Sequence, residues 1–438
     1  MAVRSGESGT NAIKLVEPAL RPGVQSLSFH VWRWLGTAQV IRGMLAKRAP
    51  AAQVDALLCV ALTLLCFDTP VFAKTDAGTD VEHFGQHYDA FTLVDQAVEA
   101  AKRNPNTKAS SSFINACLRR FLREKDVLTA AAVVDPVGRW NHPLWWINRV
   151  KLDHPQNWQD VLQFNNSRAP LTLRINARKT TASDYLNGLR VANIGATRSG
   201  EYGVTLDKPV PVEKITGFLD GVISVQDAAA QFAAPLLMRG NETRTDFHVL
   251  DACAAPGGKT AHLLEIADCQ VTALDIDPAR CELILETLNR LSLKAQVLAA
   301  DAAQPETWHD KTGRRMFDAI LLDAPCTASG IVRRHPDIRW LRREGDVQQL
   351  AAIQGRLLDT LWELLKPGGR LLYCTCSVFK AEGQAQLDLF MINNKNAALL
   401  PSPGHLISKI TKNHDMLADN ELTNHDGFFY ALLEKESP

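Results

Sequence analysis

The chain has 438 residues, with 48 basic and 48 acidic side chains that give a formal net charge of +0. That balance excludes a nonspecific polycationic coat for nucleic acid and leaves room only for local basic patches. A hydrophobic content of 46% and a charged content of 22% describe a globular protein of two or three domains.

From the N-terminus, Met1 to Arg21 is polar and lacks a compact apolar core, so a disordered leader is expected over residues 1–25. From about Ser26 to Lys125 the pattern is helical. Val54, Leu57, Leu58, Ala61, Leu64 and Leu65 recur at helical spacing, as do Leu93, Ala97 and Ala100, then Phe113, Ala116, Cys117 and Phe121. The apolar run Ala56 to Phe67 is too short to span a bilayer and reads as a buried helix. Residues 69–86, rich in Asp, Gly, Thr and His, read as a loop. An all-α domain is therefore expected over 26–150.

Residues 151–243 form a small α/β segment, with half-buried strands at Leu171–Ile175 and Val222–Val225 and a helix over Ala182–Val191. From 244 to 438 the pattern becomes βαβ. Strands end near Asp251, Asp275, Asp301, Asp323 and Thr375, helices lie between most of them, and Gly427–Leu433 reads as a last edge strand. Such alternation implies a Rossmann-like parallel sheet that binds its ligand beyond the carboxyl ends of the strands.

The chemistry-bearing residues lie at those ends. Cys253-Ala254-Ala255-Pro256-Gly257-Gly258-Lys259 comes after a strand and opens a helix, without the spacing of a phosphate loop. Gly257 and Gly258 let the backbone approach a ligand closely. Asp275 falls where an acid can hydrogen-bond a ribose, and Asp301 is placed for an adenine amine. S-adenosylmethionine has both groups and no phosphate. The alternative is an ordinary strand–turn–helix elbow packed with small residues.

Asp323-Ala-Pro-Cys326 and Thr375-Cys376-Ser377 each put a thiol just past a strand. A thiolate that adds to carbon 6 of cytosine turns carbon 5 into a nucleophile able to take a methyl group. Cys376 is the expected nucleophile, Asp323 the group that stabilises the ring, and Cys326 a participant in release. Cys374 is expected to be a buried filler pointing away from Cys376. A buried apolar role is the alternative for any one of these cysteines. The nine cysteines show no paired CxxC clusters, so neither a zinc site nor a disulfide framework is expected, which fits a reducing cytoplasm.

Two basic clusters are candidate RNA contacts. Arg333, Arg334, Arg339, Arg342 and Arg343 come after Cys326, with Trp340 among them, and Arg119, Arg120 and Arg123 end a helix. For both clusters the alternative is a solvated helix face.

Together these segments resemble the Sun family of bacterial RNA cytosine-5 methyltransferases, from about Ser26 to the end. The resemblance implies a NusB-like helical RNA-binding domain, carried by Val94-Asp-Gln-Ala-Val98 and Phe113 to Arg120. It also implies a connecting RNA-recognition subdomain and a methyltransferase domain that uses S-adenosylmethionine. Under it, Cys253 to Lys259, Asp275, Asp301 and Asp323 hold the donor, Cys376 is the nucleophile and Cys326 serves release. The implied substrate is a single-stranded or loop cytosine of 16S ribosomal RNA, acted on by a monomer without metal or membrane. A transfer-RNA substrate, or a noncatalytic assembly factor with a relic fold, are the competing readings. The chain departs from the family after the second cysteine segment, where Lys380-Ala381-Glu382-Gly383 keeps only Glu382 of the usual Pro-Glu-Glu-Asn.

Overall fold

The computed structural model describes residues 1–66, 89–313, 316–407 and 424–437, so the expected loop 69–86 lies outside the described residues. The chain divides into two compact units, one taking in 1–168 and 332–344, the other 169–331 and most residues from 345 onward.

The first unit is helical. Its core joins the apolar stripes of helices Leu35–Leu45, Ala52–Leu65, Ala90–Arg103 and Ser111–Arg123. In the last of these the buried stripe is Ile114, Cys117, Leu118 and Phe121, while Phe113 is exposed. The leader is not disordered. Gly9–Lys14 and Arg21–Arg33 are helices, Val3 and Ile13 are buried, and the Gly9 N–H donates to Asp337 Oδ2 at 3.0 Å. That bond satisfies one of the free N–H groups at a helix start.

The second unit carries two sheets. Strands β1 (Leu171–Ile175), β2 (Ala196–Arg198), β3 (Gly203–Leu206) and β4 (Ile223–Val225) form an antiparallel sheet in the order β2-β3-β1-β4. The helix Ala182–Val191 starts where the Thr181 hydroxyl oxygen accepts from the Asp184 N–H at 3.1 Å.

The larger sheet contains β5 (His248–Asp251), β6 (Gln270–Asp275), β7 (Gln296–Ala299), β8 (Phe317–Asp323), β9 (Leu365–Thr375), β10 (Ala397–Leu406) and β11 (Phe428–Lys435). Its order is β10-β11-β9-β8-β5-β6-β7, parallel from β9 to β7, with β11 antiparallel to both of its neighbours. Both faces are covered. Val249, Ala273, Ala319, Leu321 and Leu372 enter one core, and Leu250, Leu274, Ile320, Leu322 and Leu371 enter the other. Burial on both faces explains why these strands read as continuous apolar runs rather than alternating ones. The expected last edge strand is internal instead, because β10 pairs outside β11. The residues of β10, AALLPSPGHL, carry two prolines and a glycine, which only an edge position tolerates.

Candidate active site

Parallel strands end on one side of a sheet, and the register puts the chemistry-bearing residues there. Asp251 lies opposite Ala273 and Asp323 opposite Cys374, so the ends of β5, β6, β8 and β9 are neighbours.

The loop Cys253 to Lys259 is shaped by its surroundings. Gly257 has a φ of 94°, in the left-handed region, and a Cβ there would stand 3.1 Å from Ile284 Cα. Glycine is thus required twice, for the torsion and for the approach. The Ala255 N–H donates to Asp275 Oδ2 at 3.2 Å, Arg280 donates to the Ala255 carbonyl at 3.0 Å, and the Thr287 hydroxyl to the Pro256 carbonyl at 2.9 Å. Asp275 is buried, and Arg280 lies 3.4 Å from its Oδ1. Asp301 lies two residues beyond β7, accepting from the Ala303 N–H at 2.9 Å and from Gln304 at 3.2 Å. The Asp251 carboxyl accepts from the Thr260 hydroxyl at 2.6 Å. Burial pushes it up to about 7 against that bond, with the Asp323 charge adding to the rise.

Lys259 reaches across the strand ends to Asp323, Nζ to Oδ2 at 2.6 Å. Burial pulls the ammonium down, but Asp323 and the thiols of Cys374 and Cys376 outweigh it, and the net shift is upward. Lys259 therefore stays a cation between the carboxylate and the cysteines.

The two cysteines meet, Cys326 Sγ lying 3.5 Å from Cys376 Sγ. Cys326 is buried and Cys376 only partly so. The hydrogen bond to Cys376 raises the Cys326 thiol, and burial raises it further. Cys374 is the buried filler expected, but it does not point away from Cys376. Residues two apart on a strand share a face, and both pack against the same core, with Cys374 Sγ 3.6 Å from Asp323 Oδ1. Burial drives the Cys374 thiol up, and the Asp323 charge adds to it.

The arginine cluster after Cys326 does not form one exposed face. Arg333 and Arg339 are buried within the helical unit. Arg339 donates to the carbonyls of Asn141 and Asn165 and to Asn166 Oδ1, and Arg333 lies over the Phe164 ring at 4.1 Å. The expected phosphate contacts at these two residues give way to a structural role, while Arg334 is only half-buried. In the other cluster Arg119 is exposed, and Arg120 is paired with Glu124 at 3.1 Å.

The sequence reading missed two supports. Arg174 on β1 is fully buried, donates to both Glu265 oxygens at 2.8 Å and also bonds Gln226 and the Gly258 carbonyl. It thereby ties the small sheet to the loop Cys253–Lys259 and the helix Gly258–Ile266. The other support is Glu382, whose carboxylate is hydrogen-bonded to residues directly after each cysteine. Neither leaves a periodic signal. A charged residue inside LTLRI and the surviving Glu382 were the only marks.

The model of the 16S rRNA methyltransferase RsmB/F family matches residues 237–434, and that of the RsmF/B-like ferredoxin-like domain matches 142–213. A ribosomal RNA small subunit methyltransferase B of Vibrio cholerae is 40% identical over 353 residues, 79% of this chain and 77% of that protein. The protein of the same description from Cronobacter sakazakii is 42% identical over 327 residues, 74% of this chain and 73% of that protein. The crystal structure of PH0851 shares the fold, with a TM-score of 0.73 and 24% identity over 99% of this chain and 97% of that one. The chain belongs to the RsmB/F family and is an RNA methyltransferase.

Proposed function

We propose that the chain transfers the methyl group of S-adenosylmethionine to carbon 5 of a cytosine in 16S ribosomal RNA. The observation that carries the reading is the Cys326–Cys376 pair, 3.5 Å apart, beside the Lys259–Asp323 ion pair. The donor set fits that methyl donor. Four aspartates at or just beyond the strand ends, 251, 275, 301 and 323, stand against the single cation of the loop, Lys259. Such a set suits hydroxyls, amines and a sulfonium and repels phosphates. Asp275 and Asp301 would hold the ribose and adenine, and the loop Cys253 to Lys259 would face the amino-acid end. The donor supplies an electrophilic methyl group.

The protein's own residues make the other partner reactive. Cys376, the more exposed thiol, adds as thiolate to carbon 6 of the cytosine, which leaves an enamine whose carbon 5 is nucleophilic. Asp323, at the end of β8, hydrogen-bonds the ring as charge develops there. Once the methyl group has passed to carbon 5, leaving S-adenosylhomocysteine, a base takes the carbon 5 proton, the ring double bond re-forms and Cys376 leaves as thiolate, a release in which Cys326 takes part. The target base has to leave any stack to reach a half-buried thiol, so a single-stranded or loop cytosine is favoured.

The test is transfer of labelled methyl to unmodified small-subunit ribosomal RNA. The wild type should label carbon 5 of a cytosine, and Cys376→Ala should lose activity on the order of 10³-fold or more. Cys326→Ala should instead accumulate a denaturant-stable protein–RNA adduct. Full activity in Cys376→Ala, or label elsewhere on the RNA, sinks the reading. Label only on transfer RNA moves the substrate.

A further inference from the structure

We propose that Glu382 is a positioning residue that joins the two cysteine loops and keeps the proton of the pair on Cys326, leaving Cys376 to act as the nucleophile. This rests on the two-cysteine reading above. The cysteines are 50 positions apart in sequence, yet their sulfurs lie 3.5 Å from each other, and such proximity needs a fixed link between the loops. Glu382 is one such link, beside the Ser329–Ser377 hydroxyl contact at 2.8 Å and the Gly330 N–H that donates to the Cys376 carbonyl at 2.9 Å. Glu382 is fully buried. Its Oε1 accepts from the Thr327 N–H at 2.8 Å and from Gln354 Nε2 at 3.4 Å, and its Oε2 accepts from the Thr327 hydroxyl at 2.5 Å and the Ser377 hydroxyl at 2.6 Å. Thr327 follows Cys326 directly, and Ser377 follows Cys376.

The network has a direction. The Thr327 N–H can only donate, and Ser377 Oγ accepts from the Phe379 N–H at 3.1 Å and lies 2.8 Å from Ser329 Oγ, whose hydrogen can serve Ser377 while the Ser377 hydrogen serves Glu382. Burial raises the Glu382 carboxyl, and the donors that reach both of its oxygens oppose that rise. Its own backbone carbonyl is fixed by the hydroxyls of Tyr373 at 2.7 Å and Thr375 at 3.1 Å, which ties the carboxylate to β9 as well.

The charges around the pair are unequal. Glu382 is the acid beside Cys326, whereas Lys259 is the cation that interacts with Cys374 and Cys376, and Asp323, Tyr373 and Tyr430 are further titratable neighbours. The hydrogen bond to Cys376 and burial raise the Cys326 thiol, and the Glu382 charge adds to the rise, so a thiolate at Cys326 is opposed. Donating its shared hydrogen toward Cys376 is then the low-energy state for Cys326. Departure of Glu382 would loosen the tether and remove the bias.

The experiment is alkylation of the two thiols by iodoacetamide across pH, resolved by peptide mass spectrometry, beside methyl-transfer kinetics. Wild type should be modified at Cys376 in preference to Cys326. In Glu382→Gln that preference should fall by about tenfold. kcat should fall by at least as much with KM for the donor unchanged. Thr327→Val, which cuts one tether and keeps the charge, should lower kcat while preserving the preference. Unchanged kcat and an unchanged alkylation ratio in Glu382→Gln overturn the proposal. Should that variant fail to fold, Glu382→Asp decides. It keeps the charge and should keep the preference with reduced kcat, and loss of the preference there overturns the bias. Alkylation needs neither RNA nor donor, so failure here is separable from failure of the two-cysteine chemistry, which Cys376→Ala tests alone.

Discussion

Arg174 and Arg339 are both fully buried, one in each unit, and they are satisfied in different ways. Arg174 meets a carboxylate in parallel, two-pronged fashion, at 2.8 Å on each side, and uses its remaining N–H groups on Gln226 and Gly258. Arg339 bonds neutral oxygens, the carbonyls of Asn141 and Asn165 and the amide of Asn166. Burial lowers its affinity for the proton, and the nearby Arg33 charge adds to that. The first arrangement pairs two charges that would each be costly alone; the second dissolves one charge in backbone dipoles. The lesson is that an arginine in the sequence states a demand for acceptors and not where they come from. Phosphate, carboxylate and carbonyl all meet it.

The sharpest way to break the comparison is to remove each cation. Arg174→Met strands Glu265 in the interior and should cost about 3–5 kcal/mol of stability. Arg174→Met combined with Glu265→Met should recover most of that loss. Arg339→Met takes its charge away with its hydrogen bonds and strands only neutral oxygens, so about 1–3 kcal/mol is expected. Denaturant unfolding of the four variants, counting Glu265→Met alone, measures all of this. Equal costs for the two arginine variants would end the distinction.

Two buried carboxyl groups sharpen it next. Glu265 has a guanidinium facing it, whereas Asp251 has the Thr260 hydroxyl at 2.6 Å. Burial lifts Asp251 from 3.8 to about 7, with Thr260 opposing and the Asp323 charge assisting. A raised carboxyl keeps in the folded state a proton that the unfolded chain releases. Its contribution is therefore present below about pH 4, lost progressively as pH rises toward 7, and constant above that. Asp251→Asn keeps the hydrogen bond and removes the titration. The variant should gain on the wild type by up to about 1.4 kcal/mol per pH unit across that window. Parallel stability profiles of the two proteins between pH 4 and 7 would refute the assignment.

How much of the fold and site was legible depends on distance along the chain. The strands of the larger sheet were readable because burial on both faces makes local apolar runs, and aspartates at or near their carboxyl ends marked where those strands stop. The loop Cys253 to Lys259 was readable because its torsions demand glycine within the motif itself. β10 was not, since proline and glycine in an edge strand imitate a loop. The fate of Arg339 depends on carbonyls of residues 141 and 165, that of Arg333 on the Phe164 ring, the position of Glu382 on a partner 55 residues away, and the burial of Arg174 on a helix that closes over its strand. No periodicity encodes such meetings. The helical leader was missed for the same reason, as its first-turn partner, Asp337, lies 328 positions downstream.

The smallest expected effect concerns the arginines that stay outside. Arg119 is exposed at the end of helix Ser111–Arg123, and its neighbour Arg120 is held by Glu124 on the same face. Replacing an exposed side chain on a helix face changes folding little, so Arg119→Ala should leave stability within about 0.5 kcal/mol. If Arg119 meets an RNA phosphate, the same change should flatten the slope of log affinity against log salt by about 0.7–0.9 and weaken binding alike for all RNA sequences. Arg339→Met should do the reverse, lowering stability while leaving the salt slope where it was. An unchanged slope in Arg119→Ala would assign that helix end to solvent, and a reduced slope in Arg339→Met would mean that its buried guanidinium still reaches the RNA through the elements it holds.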